Sequence, residues 1–258
     1  MNRAMIIAAA ALLACGSSGN AALSKTFSYG APQTPDSTQQ AAANSAQGTL
    51  ADTSTFSASP DPSRGTEVIG FADSLSLLAL GAPSFGVAAE GVRGELRAGD
   101  ASACATLSGA TVTFSNCTQD VQGFSVVYSG SITAGAGKVS WSTSGTSLGT
   151  ESSVSFDIAH HQSGSLQVTA SKITGNALAD YGGTLSGQGA SESFAFGTAL
   201  VMDLTYQTAP TPCVTGGSLE VKRVWTQKPN GASGAGYADA GLKLTWTGCN
   251  AVQAAHSM

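Results

Sequence analysis

Only 10% of the 258 residues are charged, against roughly a quarter in an average globular protein, and acids outnumber bases 16 to 11 for a net charge of −5. No basic stripe exists to neutralise phosphates, which argues against a nucleic-acid partner. The length suits one sizeable domain plus a tether, and a neutral surface rich in Gly, Ser, Thr and Ala fits an extracytoplasmic β protein.

The chain opens with Met1-Asn2-Arg3, runs through unbroken apolar residues from Ala4 to Ala14, and reaches Cys15 followed by Gly16-Ser17-Ser18. A basic start, a short apolar run and a small residue before the cut describe a secretory signal peptide. The run is too short to cross a membrane: crossing takes about 20 apolar residues, and this stretch would reach only about 16 Å as a helix.

The ending Leu12-Leu13-Ala14-Cys15 resembles the lipobox of bacterial lipoproteins. That resemblance implies removal of residues 1–14 as a signal peptide and attachment of acyl chains, palmitate among them, to the sulfur and new amino group of Cys15. Two or more chains give stable anchoring where one is marginal. Gly16, standing where some retained lipoproteins carry Asp, implies transfer to the outer membrane. The partner so implied is the membrane, through the N-terminal lipid.

Residues 15–65 carry few large apolar side chains and no sustained period, so they are expected to form a disordered tether spanning roughly 35–40 Å on average. Residues 66–258 would form the β domain, opening with a helix over 66–80. There Val68, Phe71, Leu75 and Leu78 recur at three- and four-residue steps, Thr66 is a candidate N-cap, and Gly81 and Pro83 stop the run. The pattern predicts an amphipathic helix, the only long one, covering an open face or end of a sheet. A membrane-surface helix is the competing reading, disfavoured by the absence of Lys and Arg.

Beyond Val87 the period becomes two. Val112 and Phe114 begin a series that continues through Phe124, Val126 and Tyr128, then Val139 and Trp141, then Val154, Phe156 and Ile158. Leu200, Met202, Leu204 and Tyr206 make the clearest stripe, and Leu242, Leu244 and Trp246 close it. Short alternating runs split by Gly, Ser and Asn predict about ten to twelve antiparallel strands. The expected fold is mainly β: an antiparallel meander curled into a barrel, half-barrel or sandwich, with one N-terminal amphipathic helix.

Apart from Cys15, the cysteines number four: Cys104, Cys117, Cys213 and Cys249. An even number in an exported chain reads as disulfides; zinc competes, but there is no CxxC pair. Gly109–Cys117 and Gly241–Cys249 echo each other, with an apolar residue, Thr, an aromatic, a hydroxyl and Cys at matching offsets. Cys213 and Cys249 are centred on Asn230-Gly231, a strong hairpin dipeptide, so they should face each other across a long hairpin to within one residue. The first pair fits less well: a turn at Ser108-Gly109 sets Cys104 opposite Thr113, four residues short of Cys117.

Three stretches carry residue types used in catalysis or binding. Gly145-Thr-Ser-Leu-Gly149 matches the G-x-S-x-G nucleophile elbow, but that elbow needs a following helix and the next segment alternates like a strand, so a turn is expected. Asp157, His160 and His161 would place Asp157 and His161 on an outer face and His160 with Phe156 and Ile158, read as a solvated pair at a strand end. Glu220, Lys222, Arg223 and Trp225 read either as a sugar- or protein-binding arm or as an edge strand guarded by charge, the latter preferred. No catalytic residue, metal site or cofactor emerges. The chain reads as a non-enzymatic, lipid-anchored cell-envelope module with a structural or binding role toward a protein partner. The alternative is a carrier of a hydrophobic small molecule held between curved sheet and helix; a deep apolar cavity would favour it and a filled core would not.

Overall fold

The computed structural model describes residues 18–62, 64–65, 68–69, 80, 104–121, 124–151, 154–187, 190–210 and 212–257. The lipobox and nearly all of the stretch expected to be helical over 66–80 lie outside them; Val68, Ile69 and Leu80 are described, are helical, and the first two are buried.

Ten antiparallel strands form one sheet in strict chain order. They are β1 (Ala105–Ser108), β2 (Thr111–Val121), β3 (Phe124–Gly135), β4 (Lys138–Glu151) and β5 (Val154–Val168), then β6 (Lys172–Gly187), β7 (Ala190–Gln207), β8 (Cys213–Gln227), β9 (Ala240–Gly248) and β10 (Ala251–His256). β1 and β10 are its two ends and do not pair with each other, so the meander is open. Helices α1 (residues 18–24) and α2 (Ser37–Ala58) precede the sheet among the described residues; α2 touches β3, β4, β5 and β10, so the sheet curves around it as in a half-barrel.

Period two places the core. On β7, Leu200, Met202 and Leu204 are buried, and across the ladder they meet Ala177 and Ile173 of β6 and Leu219 and Val221 of β8 on the same, concave face. Leu242, Leu244 and Trp246 of β9 continue it, as do Val112, Phe114 and Ile132 at the other end of the sheet. Trp141 pairs with Gly164, and its ring lies where a Cβ of that glycine would sit, an aromatic covering a bare backbone.

The expectation of a disordered tether is overturned for most of residues 15–65. Asp36 caps α2 by accepting from the Gln39 N–H at 2.8 Å while the Gln39 side chain accepts from the Asp36 N–H at 3.0 Å, a reciprocal capping box. Ala42, Ala43, Ala46, Leu50 and Phe56 fall on one face at helical spacing and are buried in the main core. Among the described residues the long helix on the sheet is α2, at 22 residues. Most of the helix expected over 66–80 lies outside them, and its described Val68 and Ile69 are helical and belong to the same core.

The residues before α2 are ordered too. Residues 18–24 form a short helix, α1, against Leu178, Ala199 and Val224, which lie on the opposite, convex face. The chain then rounds the free edge of β10, where Tyr29 bridges Ser257 and Gln33 bridges Ala254, before entering α2 on the concave side. Residues 18–36 thus act as a strap joining both faces.

Both disulfides form: Cys104 with Cys117 and Cys213 with Cys249. The β8–β9 ladder runs from Gly217↔Trp246 to Arg223↔Ala240, which matches the register expected from the Asn230-Gly231 midpoint to within one residue. The four-residue mismatch of the first pair has a physical resolution. β1 pairs with β2 from Ala105↔Phe114, so Cys104 falls level with Ser115, and a bulge between Phe114 and Cys117 takes up the remainder. Asn116 sits there at φ 47°, a left-handed conformation that Asn tolerates. The extra residue also turns Cys117 to the buried side and leaves the two Cα atoms 5.3 Å apart.

Candidate functional site

The histidines lie in the middle of β5, not at a strand end. His160 pairs with Gly145 of β4 and Tyr181 of β6, and its ring occupies the space over the bare Gly145 backbone. As expected from alternation, it shares the concave face with Phe156 and Ile158. Its ring lies deep among protein atoms while keeping a partial opening to solvent. Burial, assisted by the neighbouring His161, pushes its pKa down to about 4, so it is neutral at physiological pH. His161 points the other way, with Nδ1 3.7 Å from a buried Asp180 carboxylate and Nε2 3.3 Å from the Ser142 hydroxyl.

Gly145–Gly149 lies inside β4, so it is neither a nucleophile elbow nor a turn. Ser147 is buried opposite Ile158, and among the described residues no hydrogen bond joins it to either histidine. Next to His160 an aromatic row crosses three strands and a loop. Tyr181 stacks on Phe196 at 4.7 Å, Phe196 meets Trp225 at 4.8 Å, and Trp225 meets Tyr237 at 5.3 Å. One step further toward α2, Thr143, Gln162, Thr198 and Arg223 form a buried polar row between this aromatic cluster and the main core.

The Glu220–Trp225 arm is corrected on two counts. β8 is an interior strand, paired on both sides, and Lys222, Arg223 and Trp225 are all buried. Trp225 is therefore core and not a sugar platform, its backbone N–H donating to Asp239 at 2.9 Å. Burial pulls the Arg223 pKa down, opposed by Asp239. Glu220 and Lys222 face the strap. Lys222 Nζ donates to the carbonyls of Leu23 at 3.3 Å and Lys25 at 2.8 Å, and it pairs with Glu220 at 3.2 Å. Tyr29 donates its hydroxyl to Glu220 at 2.6 Å, and burial followed by that bond raises the tyrosine pKa. These charges bind the chain's own N-terminal segment. The alternation of β8 was legible, but nothing in sequence spacing tied it to residues about 200 positions earlier.

Among the described residues a groove of about 210 Å³ opens between α2 and the ends of β7 and β8, lined by Leu50, Ser54, Tyr206, Pro212, Cys213 and Val214 among others. No cluster of three metal-ligating side chains occurs among the described residues. No family model, curated protein or solved structure matches the chain.

The neutral His160 gives a pH signature. Above about pH 6.5 it is uncharged in folded and unfolded chains alike and contributes no pH dependence. As pH falls, the unfolded chain takes up the proton first, so stability is lost from about pH 6.5 down to about pH 4. His160→Gln should remove this slope: in urea melts, wild type should lose up to about 3 kcal/mol more than the variant between pH 7 and pH 4. Equal slopes would show that the imidazolium reaches water without unfolding.

Proposed function

We propose that the protein is a non-enzymatic cell-envelope lipoprotein, anchored through Cys15 in the outer membrane, whose open β-sheet serves as a structural or binding module. The observation that carries this reading is the joint occurrence of the Leu12-Leu13-Ala14-Cys15 motif and two paired cystines. Disulfides persist in the oxidising compartments to which such a signal delivers a chain. Ser147 sits mid-strand opposite Ile158 with no hydrogen bond to either histidine among the described residues, so no nucleophile and base are assembled there.

The interior supports a module over a carrier. Among the described residues, five side chains of α2 pack directly on the sheet, and the groove beside them, at about 210 Å³, is below the roughly 300–1,000 Å³ usual for small-molecule pockets. No helix among the described residues is long and apolar enough to cross a membrane, so attachment in this reading falls to the lipid.

Cys15→Ser should leave an unacylated precursor that no longer partitions with membranes by this route. Intact-mass spectrometry of membrane-extracted wild type should find diacyl- or triacyl-modified Cys15, and an unmodified cysteine there would refute the anchor.

A further inference from the structure

We propose that the convex face around Ser18, near where β8 finishes, rests on the headgroup surface of the leaflet that holds the acyl chains. This rests on the lipid-anchor reading above and goes beyond it by fixing which surface faces the bilayer.

The argument is one of chain length. Ser18 is fully buried and fixed: its hydroxyl is 2.8 Å from that of Thr226, and its backbone crosses directly over Gly197, where a Cβ would collide with the Ser18 carbonyl group. The Gly19 N–H donates to the buried Asp180 carboxylate. Further along, Lys222 and Glu220 clamp the strap, and two bridges tie it to β10. From Cys15 to Ser18 there are three Cα–Cα steps of about 3.8 Å, hence at most about 11 Å. A tether of some 40 Å would let the domain tumble; an 11 Å link ending on a clamped residue does not.

The convex surface beyond Ser18, starting four residues along β7 from Gly197 and so roughly 13 Å away, fits a headgroup layer. One cross-strand row reads Leu148, Asp157, Thr184 and Ser193. Leu148 is 50% exposed, among the most exposed large apolar side chains described. Ser186 and Ser191 form a hydroxyl pair at 2.9 Å next to it. Asp157 is the one charge in that row, so the row would meet the membrane through hydroxyls and an aliphatic side chain. Anionic lipid should not be needed to hold it, since such attraction requires clustered Lys and Arg.

The test uses the full acylated protein in phosphatidylcholine vesicles containing spin-labelled lipid. A fluorophore is placed at Ser193→Cys, or at Asn250→Cys in the β9–β10 turn at the far end of the strands, level with Gln207 and so roughly 45 Å away along β7. Quenching should be several-fold stronger at 193 than at 250 and unchanged when anionic lipid is added. A flexible insert of about 15 residues between Ser17 and Ser18, reaching about 20 Å, should bring the two positions toward equal quenching. Equal quenching without the insert, in protein whose mass confirms acylation, overturns the orientation alone. Vesicle-bound protein with unmodified Cys15 overturns the anchor reading and the orientation with it.

Discussion

A chain lacking residues 18–59 should lose its cooperative unfolding transition, bind hydrophobic dyes and tend to aggregate. The excised segment contains α2, whose Ala42, Ala43, Ala46, Leu50 and Phe56 complete the main core. Without them Val112, Ile132, Leu200, Leu219 and Leu244 would lose their cover on the concave face. Phe56 is fully buried, and its ring meets Phe114 and Ile132 around Gly65. Phe56→Ala alone should cost about 3–5 kcal/mol, against a whole-domain stability of about 5–15 kcal/mol. Urea or thermal melts followed by circular dichroism measure this. A shortened chain that melts cooperatively at the full-length midpoint would reinstate the segment as a dispensable tether.

That segment was misread because its buried face is built from alanine. Large apolar side chains announce a core-facing helix through hydropathy, whereas the buried face of α2 offers three alanines, one leucine and one phenylalanine in a helix otherwise rich in Ser, Thr and Gln. Alanine is the best helix former, and small side chains let a helix backbone approach a sheet closely. The legible signal was Asp36-Ser-Thr-Gln39, a capping-box pattern at the helix start. The sheet was easier. Alternation along Leu200–Tyr206 and Leu242–Trp246 assigns both face and strand type because a one-residue slip would turn every apolar side chain to water.

The polar residues were legible in orientation and not in role. Alternation placed His160 inward and His161 outward correctly, since strand parity depends only on neighbours. It could not tell a strand's middle from its end, and β5 extends to Val168, beyond the histidines. Glu220 and Lys222 looked like edge protection because charge is rare inside a sheet. Their partners, Tyr29 and the carbonyls of Leu23 and Lys25, reach them only after the strap has rounded β10. Contacts at that separation follow from topology and leave no local periodicity to read.

Replacing Cys213 and Cys249 together by Ala should destabilise the domain by about 4 kcal/mol, with the loss concentrated in the last strands. The bond closes a loop of 36 residues and the other one of 13, for which loop entropy gives about 4 and about 3 kcal/mol respectively. The larger loop contains the β8–β9 hairpin, including the 3-10 turn Ala235–Tyr237 that holds Tyr237 against Trp225. At about 2 kcal/mol per molar urea, the double variant should unfold at a midpoint lower by about 2 M. Amide exchange should accelerate first in β9 and β10, which lie at the end of the sheet and depend on the strap for their outer edge. Peptide mapping without reduction must recover Cys213 joined to Cys249. A shift of less than about 0.5 M, or exchange that accelerates uniformly, would mean that the strap and the β8–β9 ladder already hold this end without the bond.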